Sequence, residues 1–239
     1  MPKDAATEPW LASGSLKREQ VRQMFSDISS TYDFMNSAMS LRLHHRWRRQ
    51  AAKQLQLRPG DKVVDVCTGT GDFVLPLRAH VGESGFVLGV DFCSPMLERA
   101  RAKGILASWS IGDACSLPLR SGLVDGVTVG WGLRNVPDIA AALREIARVL
   151  KPGGRFVCLD MAVPQDPVLR TMSRLIFNHA IPALGALFGR RRAYTYLPKS
   201  TEKFATREEL AELMRQAGFT DVKWSNLFFG NICIHYGKK

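Results

Sequence analysis

The chain has 239 residues, 46% of them apolar and 23% charged, the balance of an ordinary globular domain long enough for one sizeable core. Its formal net charge of +11, from 33 basic and 22 acidic residues, favours an anionic partner: nucleic acid, a membrane surface or acidic small molecules. The five cysteines, at positions 67, 93, 115, 158 and 233, form no CxxC pair, which argues against a disulfide framework or a metal site and for a reducing compartment.

Residues 1–15, MPKDAATEPWLASGS, lack both the apolar core of a signal peptide and an amphipathic basic pattern, and read as a disordered leader. Residues 16–239 read as one domain. Leu16–Ile28 has helical spacing, with Val21, Met24, Phe25 and Ile28 on one face. After the turn-prone Ser29-Ser30-Thr31-Tyr32-Asp33, a second amphipathic segment runs to about Leu55. From Asp61 the pattern changes. Strands are predicted at Lys62–Cys67, Phe86–Asp91, Ala107–Ile111, Asp125–Trp131 and Arg155–Met161, with helices between them at Phe73–Val81, Pro95–Lys103 and Ile139–Leu150. Continuous apolar strands alternating with helices indicate a parallel sheet covered on both faces, and right-handed crossovers make it doubly wound. Pro167–Phe188 reads as one long or broken helix, and Arg207–Ala217 as an amphipathic helix ended by Gly218. Asp221–Phe229 and Asn231–Gly237 complete seven strands as an edge hairpin, so the fold expected is α/β with a mostly parallel sheet and an antiparallel C-terminal strand. The most apolar stretch, Leu175–Gly189, is interrupted by Asn178, His179 and Pro182 and falls short of the ~20 residues a spanning helix needs. Basic residues cluster at Arg42–Arg49 and Arg190–Arg192; a solvated surface is the plain reading of each.

Chemistry concentrates at Val63-Val64-Asp65-Val66-Cys67-Thr68-Gly69-Thr70-Gly71-Asp72, a strand entering a glycine turn that opens a helix. Glycine there permits positive φ and close approach of a ligand, and in open α/β sheets such turns border the ligand crevice. The third glycine of a dinucleotide fingerprint is replaced by Val74, and Asp65 and Asp72 flank the turn, which suits a cationic ligand better than phosphates. S-adenosylmethionine, with its α-amino and sulfonium groups, has that charge. Asp91 ends the second strand, where a carboxylate can accept from two ribose hydroxyls, and Asp113-Ala114 follows the third, where an acceptor beside a small residue can read an adenine edge. Each carboxylate alone is as well explained as a cap or turn former. No metal ligand set is expected.

The stretches Tyr32-Asp33-Phe34-Met35-Asn36, Met39-Ser40, His45-Arg46-Trp47, Gly132-Leu133-Arg134-Asn135-Val136 and Arg148-Val149-Leu150-Lys151-Pro152-Gly153-Gly154 resemble the ubiquinone/menaquinone biosynthesis C-methyltransferases, a family of class I methyltransferases. Tyr194–Phe204 is similar to that family's substrate-proximal segment, and the resemblance runs from about Val21 to the C-terminus. It implies an S-adenosylmethionine-dependent enzyme that methylates a ring carbon of a reduced polyprenyl quinone precursor, demethylmenaquinol first and a demethylated benzoquinol as the alternative. Cofactor contacts carry over to Thr70, Asp91, Asp113 and Ala114, joined by Asp65, Gly69 and Gly71 of the turn. A further family contact, often a small polar residue, falls on Gly130, which has only backbone to offer. Residues 16–57 become a helical lid in which Tyr32 and Asp33 cover the cofactor, an ordinary helix cap at Asp33 being the alternative, and 163–206 a substrate- and membrane-facing insertion. Arg134 and Asn135 stand at the crevice mouth: Arg134 stabilises a phenolate or orders a water that removes its proton, or else anchors a loop by an ion pair. Tyr196 is a partner for a substrate oxygen, and His44 or His45 could serve as base or as surface. The implied setting is cytoplasmic, peripheral to the inner membrane through anionic lipid, without nucleic acid, with a homo-oligomer or a quinone-biosynthesis complex left open. The competing classes are a methyltransferase of another small molecule, an RNA or protein methyltransferase, an NAD-dependent dehydrogenase and a non-catalytic nucleoside-binding module. The sequence after the fourth strand, Gly130-Trp131-Gly132-Leu133-Arg134-Asn135, lacks the motifs of the RNA and protein enzymes.

Overall fold

The computed structural model of the protein describes residues 12–180 and 191–239. Seven strands, β1 (Lys62–Val66), β2 (Phe86–Asp91), β3 (Ser108–Ile111), β4 (Val124–Gly130), β5 (Leu150–Met161), β6 (Thr220–Leu227) and β7 (Ile232–Lys238), form one sheet in the order β3-β2-β1-β4-β5-β7-β6. All pairs are parallel except those of β7, which is antiparallel to both β5 and β6. The predicted α/β architecture and its C-terminal hairpin are therefore observed, with β7 inserted inside the edge strand β6.

The alternation of side chains along each strand divides the core in two. Val64, Val66, Val127, Val129 and Cys158 pack on one face against Leu143 and Ile146 of α6 (Ile139–Val149) and Leu210 and Met214 of α9 (Arg207–Gln216). Val63, Val87, Val157 and Leu159 pack on the other face against Trp47 and Ala51 of α3 (Leu43–Gln54) and Val74 and Leu77 of α4 (Val74–Val81). Each such fully buried aliphatic side chain contributes roughly 1.5–3 kcal/mol. The sheet is thereby fixed in register, and the turns beyond β1, β2, β3 and β4 open on one edge.

Three helices precede the sheet: α1 (Gly14–Ile28), α2 (Tyr32–Met39) and α3. The single amphipathic segment expected after Asp33 is two helices, because Leu41 and Arg42 turn the chain with positive φ of 49° and 62°. The leader's boundary also moves, since α1 begins at Gly14; its first eleven residues lie outside the described range. Of the long or broken helix expected over Pro167–Phe188, the part described is helical: α7 (Pro167–Leu175), capped by Asp166, passes into one π-turn at Ile176–Ala180, and 181–190 are outside the described residues. The basic cluster that includes Arg190 falls partly there as well. Tyr196 lies in a helix, α8 (Arg191–Glu202), which Pro198 hides from a propensity reading. Among the described residues no helix is long and apolar enough to cross a membrane.

Candidate active site

Two adjoining cavities open at the carboxyl edge of the sheet, and Phe25, Tyr32 and Trp131 line both. The first, open to solvent at its mouth, lies against the ends of β1, β2 and β4. Gly69, with φ +56° and nothing within 4 Å of where a Cβ would be, leaves its floor open. The Gly69 N–H donates to Asp91 Oδ2 at 2.8 Å, and the Cys93 N–H donates to Oδ1 at 2.9 Å. These bonds fix a carboxylate whose remaining lone pairs can accept hydroxyl hydrogens. Burial pushes the Asp91 carboxyl up to about 6, against the pull of its backbone donors. Ala114 and Gly130 line the same wall, and a Cβ at Gly130 would come within 3.0 Å of the Phe73 ring. Asp113 holds the Cys115 N–H through Oδ1 and pairs with Arg18 of α1 through Oδ2 at 2.8 Å. Lys17, one residue earlier, donates to the Val136 carbonyl at 3.1 Å, so α1 straps the cleft.

The remaining turn residues expected at the cofactor stand behind this wall. Asp65, 1% exposed, accepts from the Thr68 hydroxyl at 2.6 Å and the Thr128 hydroxyl at 2.7 Å; it braces the turn and does not line the cleft. Thr70 donates its hydroxyl to Asp33 at 2.6 Å, tying α2 to the turn. Gly71, at φ +81°, makes room for Trp109, whose ring would stand 2.6 Å from a Cβ there. These three positions act through loop shape.

Burial pushes the Asp65 carboxyl up to about 6, with its two threonine partners opposing. A carboxyl raised in the folded state lends its full stability below the unfolded value and loses it as pH rises through about 6. The shift corresponds to on the order of 2–3 kcal/mol. Asp65→Asn removes that loss, so the Tm of the variant relative to the parent should climb by roughly 5 °C between pH 4 and 7 in calorimetric scans. A constant difference across that range would refute the assignment.

The second cavity, also open to solvent, is walled mainly by apolar and aromatic side chains, among them Met24, Met161, Phe177 and Phe228. Its polar groups are few. Arg134 lines it, with Nη1 donating to Asp160 Oδ1 at 2.5 Å and to the Trp131 carbonyl at 2.8 Å, while Nε is buried without a hydrogen-bond partner. The anchoring ion pair weighed from the sequence therefore exists, and the residue faces the cavity as well. Tyr196 is 3% exposed and donates to Asn135 Oδ1 at 2.8 Å, and Asn135 Nδ2 donates to the Trp131 carbonyl at 3.1 Å. Burial raises the Tyr196 phenol to about 12. Tyr196 thus spends its proton on Asn135, and the pair braces the turn between the cavities. Trp131 itself holds φ +54°, uncommon for a bulky residue, and directs its carbonyl at both Arg134 and Asn135.

His44 and Arg48, read as part of a basic run, line this cavity too and are 3% and 6% exposed. His44 is a candidate base from the sequence and Arg48 is not; the spacing of four along α3 is the signal that could have joined Arg48 to it, since it places both on the inward face beside Trp47. Burial and the Arg48 charge lower His44 to about 4, which leaves the imidazole neutral. His45 is only half-buried. His44, His45 and Asp72 bring donor atoms within 4.8 Å of one another, but Lys103 at 2.6 Å and Arg48 at 3.4 Å already claim the carboxylate, making an ion-pair cluster of them.

The ubiE/COQ5 methyltransferase family model matches residues 13–239. The chain belongs to that family. The methyltransferase is 40% identical over 233 residues to the demethylmenaquinone methyltransferase of Staphylococcus saprophyticus, covering 96% of this chain and all of the relative. An equal identity holds with the Staphylococcus aureus enzyme of that name, over 96% and 97% of the two chains. Among solved structures, a methyltransferase of Thermotoga maritima superposes with a TM-score of 0.66 at 23% identity, over 91% of this chain and 99% of the other. Haemonchus contortus phosphoethanolamine N-methyltransferase 2, solved with S-adenosylmethionine, gives 0.59 at 15% identity, over 80% and 52%. These two share the fold. The first cavity, with an open glycine floor and buried Asp91 on its wall, fits S-adenosylmethionine as the methyl donor.

Proposed function

We propose that the enzyme methylates a ring carbon of a reduced polyprenyl naphthoquinone precursor, demethylmenaquinol, with the donor in the first cavity and the acceptor in the second. The observation that carries this reading is the pair of cavities sharing Phe25, Tyr32 and Trp131: one carries the buried Asp91 and the half-buried Asp113, the other is walled mainly by apolar and aromatic side chains that suit a fused ring. The 40% identity to demethylmenaquinone methyltransferases supports the choice of ring.

S-adenosylmethionine supplies an electrophilic methyl and departs uncharged. What the chain must do is align, exclude water and make the acceptor carbon nucleophilic. Asp91 takes the ribose hydroxyls; Tyr32 and the strap of α1 close over them. Alignment of this kind is worth up to ~7–11 kcal/mol of barrier. A hydroquinol carbon becomes nucleophilic when the neighbouring hydroxyl gives its proton to a water ordered by Arg134, whose guanidinium, fixed by Asp160, stabilises the oxygen anion as it forms. After methyl transfer the ring carbon releases its hydrogen as a proton to the same water, and the oxygen is reprotonated. Asn135 and Tyr196 hold Arg134's turn in place. Incubating the protein with labelled S-adenosylmethionine and chemically reduced demethylmenaquinol should give menaquinol, read by mass. A demethylated benzoquinol in the same vessel tests the alternative ring; methylation of neither defeats the proposal.

The acceptor's tail lives in a bilayer, and α7 presents Val168, Met172, Leu175 and Ile176, each more than half exposed, on one face beside exposed Arg174. This face docks on anionic lipid, each nearby basic residue adding about 1 kcal/mol. The protein should sediment with phosphatidylglycerol vesicles at low salt, be released as salt rises, and bind at least tenfold more weakly once the four apolar residues are replaced by serine. Binding unchanged by those replacements removes α7 from the contact.

A further inference from the structure

Arg48 is an expensive residue where it stands. It is 6% exposed, and its Nη1 is buried with no hydrogen-bond partner, 3.4 Å from Asp72 Oδ2 and out of alignment with it. Its guanidinium lies over the Trp131 ring, 4.7 Å from the centroid, and so borders the ring that belongs to both cavities. A buried donor left unmade costs stability unless something is bound to it when the protein works. Asp72 takes its hydrogen-bonded cation from Lys103, whose Nζ sits 2.6 Å from the other carboxylate oxygen and 2.8 Å from Asp33, so Arg48 adds charge beside Asp72 without a hydrogen bond to it.

His44, one helical turn earlier, repeats the pattern. The Ser40 hydroxyl stands 2.6 Å from the Asn36 carbonyl, which takes its only hydrogen. The 2.5 Å contact between Ser40 Oγ and His44 Nδ1 therefore uses the imidazole N–H as donor. That leaves the lone pair of neutral His44 on Nε2, which is also buried without a hydrogen-bond partner, 3.9 Å from Asp72. A donor with no acceptor and an acceptor with no donor thus sit four residues apart in the wall of one apolar cavity.

We infer that Arg48 Nη1 and His44 Nε2 together form a binding site for a ring hydroxyl of the acceptor, separate from Arg134, the hydroxyl accepting from Arg48 and donating to His44. The inference rests on the proposed aromatic acceptor in this cavity. A hydroquinol has two ring oxygens and the cavity then has two cationic positions for them. The site selects oxygenated rings over plain aromatic ones and orients the ring against Trp131, beside the donor space.

The test compares 1-naphthol with naphthalene, probes that differ by one hydroxyl, by fluorescence titration of the intact protein. Native protein should bind 1-naphthol at least about tenfold more tightly than naphthalene, the discrimination one hydrogen bond to a charged donor supplies. In Arg48→Met that preference should fall to less than threefold, with naphthalene affinity and the affinity for S-adenosylhomocysteine each unchanged within threefold. His44→Phe should lose part of it. Should Arg48→Met fold poorly, Arg48→Lys keeps the charge beside Asp72 and should retain an intermediate preference. Equal losses for both probes would make Arg48 a mere wall or support, and no preference in the native protein would dismiss the site. Preserved discrimination in the native protein, with no methylation of demethylmenaquinol, would uphold this site while overturning the naphthoquinol reading.

Discussion

Replacing Asp91 by alanine should weaken S-adenosylmethionine binding by at least about a hundredfold, from the loss of two charge-assisted hydrogen bonds worth about 1.5–3 kcal/mol each. The same carboxylate also holds the Gly69 and Cys93 N–H groups, so the alanine variant strands one buried and one half-buried donor and loosens the floor of the cleft. Asp91→Asn separates the two effects. Its carbonyl can keep one backbone bond and accept one ribose hydroxyl, so an intermediate loss of roughly tenfold is expected. Because burial holds this carboxyl up to about 6, the ionised form that the donor needs should thin out below that pH, and native affinity should fall between pH 7.5 and 5. Calorimetry with the donor and with S-adenosylhomocysteine reads each of these. A loss under threefold in the alanine variant would move the ribose elsewhere and take the donor cavity with it.

The sheet was legible in the sequence because its strands are apolar on both faces and its helices carry a clear 3.6 period, two patterns that local chemistry imposes whatever the surroundings. The position of Asp91 at the cleft was legible for the same reason, since it ends a buried strand at the carboxyl edge of the sheet. The division of labour around the glycine turn was not. Asp65 and Thr70 belong to the same turn motif in sequence, and only the threonine at 128 and the aspartate at 33, distant along the chain, draw their side chains into hydrogen bonds behind the cleft wall. Arg48 misled for the opposite reason. Within Arg46-Trp47-Arg48-Arg49 a guanidinium reads as solvated, yet α3 turns that one residue toward Trp131 and away from water. Tyr196 was found as a residue and missed as a helix, since Pro198 argues locally against the element that tertiary packing imposes.

Removing Arg134 should lower turnover by about a hundredfold or more while donor affinity moves less than threefold, the split expected of a group that acts as negative charge develops on the acceptor. The single variant is ambiguous, however. Asp160 is 2% exposed, and deleting its partner leaves a buried charge that can cost about 3–5 kcal/mol of stability. Asp160 also accepts the Met161 N–H at 2.8 Å, so it cannot simply swing out to water. Arg134→Met combined with Asp160→Asn resolves this, because the amide keeps an acceptor for that N–H and removes the stranded charge. The double variant should recover most of the lost Tm and none of the lost turnover. Asp160→Asn alone should retain a substantial part of the activity, since Arg134 keeps its bond to the Trp131 carbonyl. If the double variant regains turnover along with stability, Arg134 serves only as a loop anchor, and the negative charge of the acceptor must be met from the Arg48 side of the cavity.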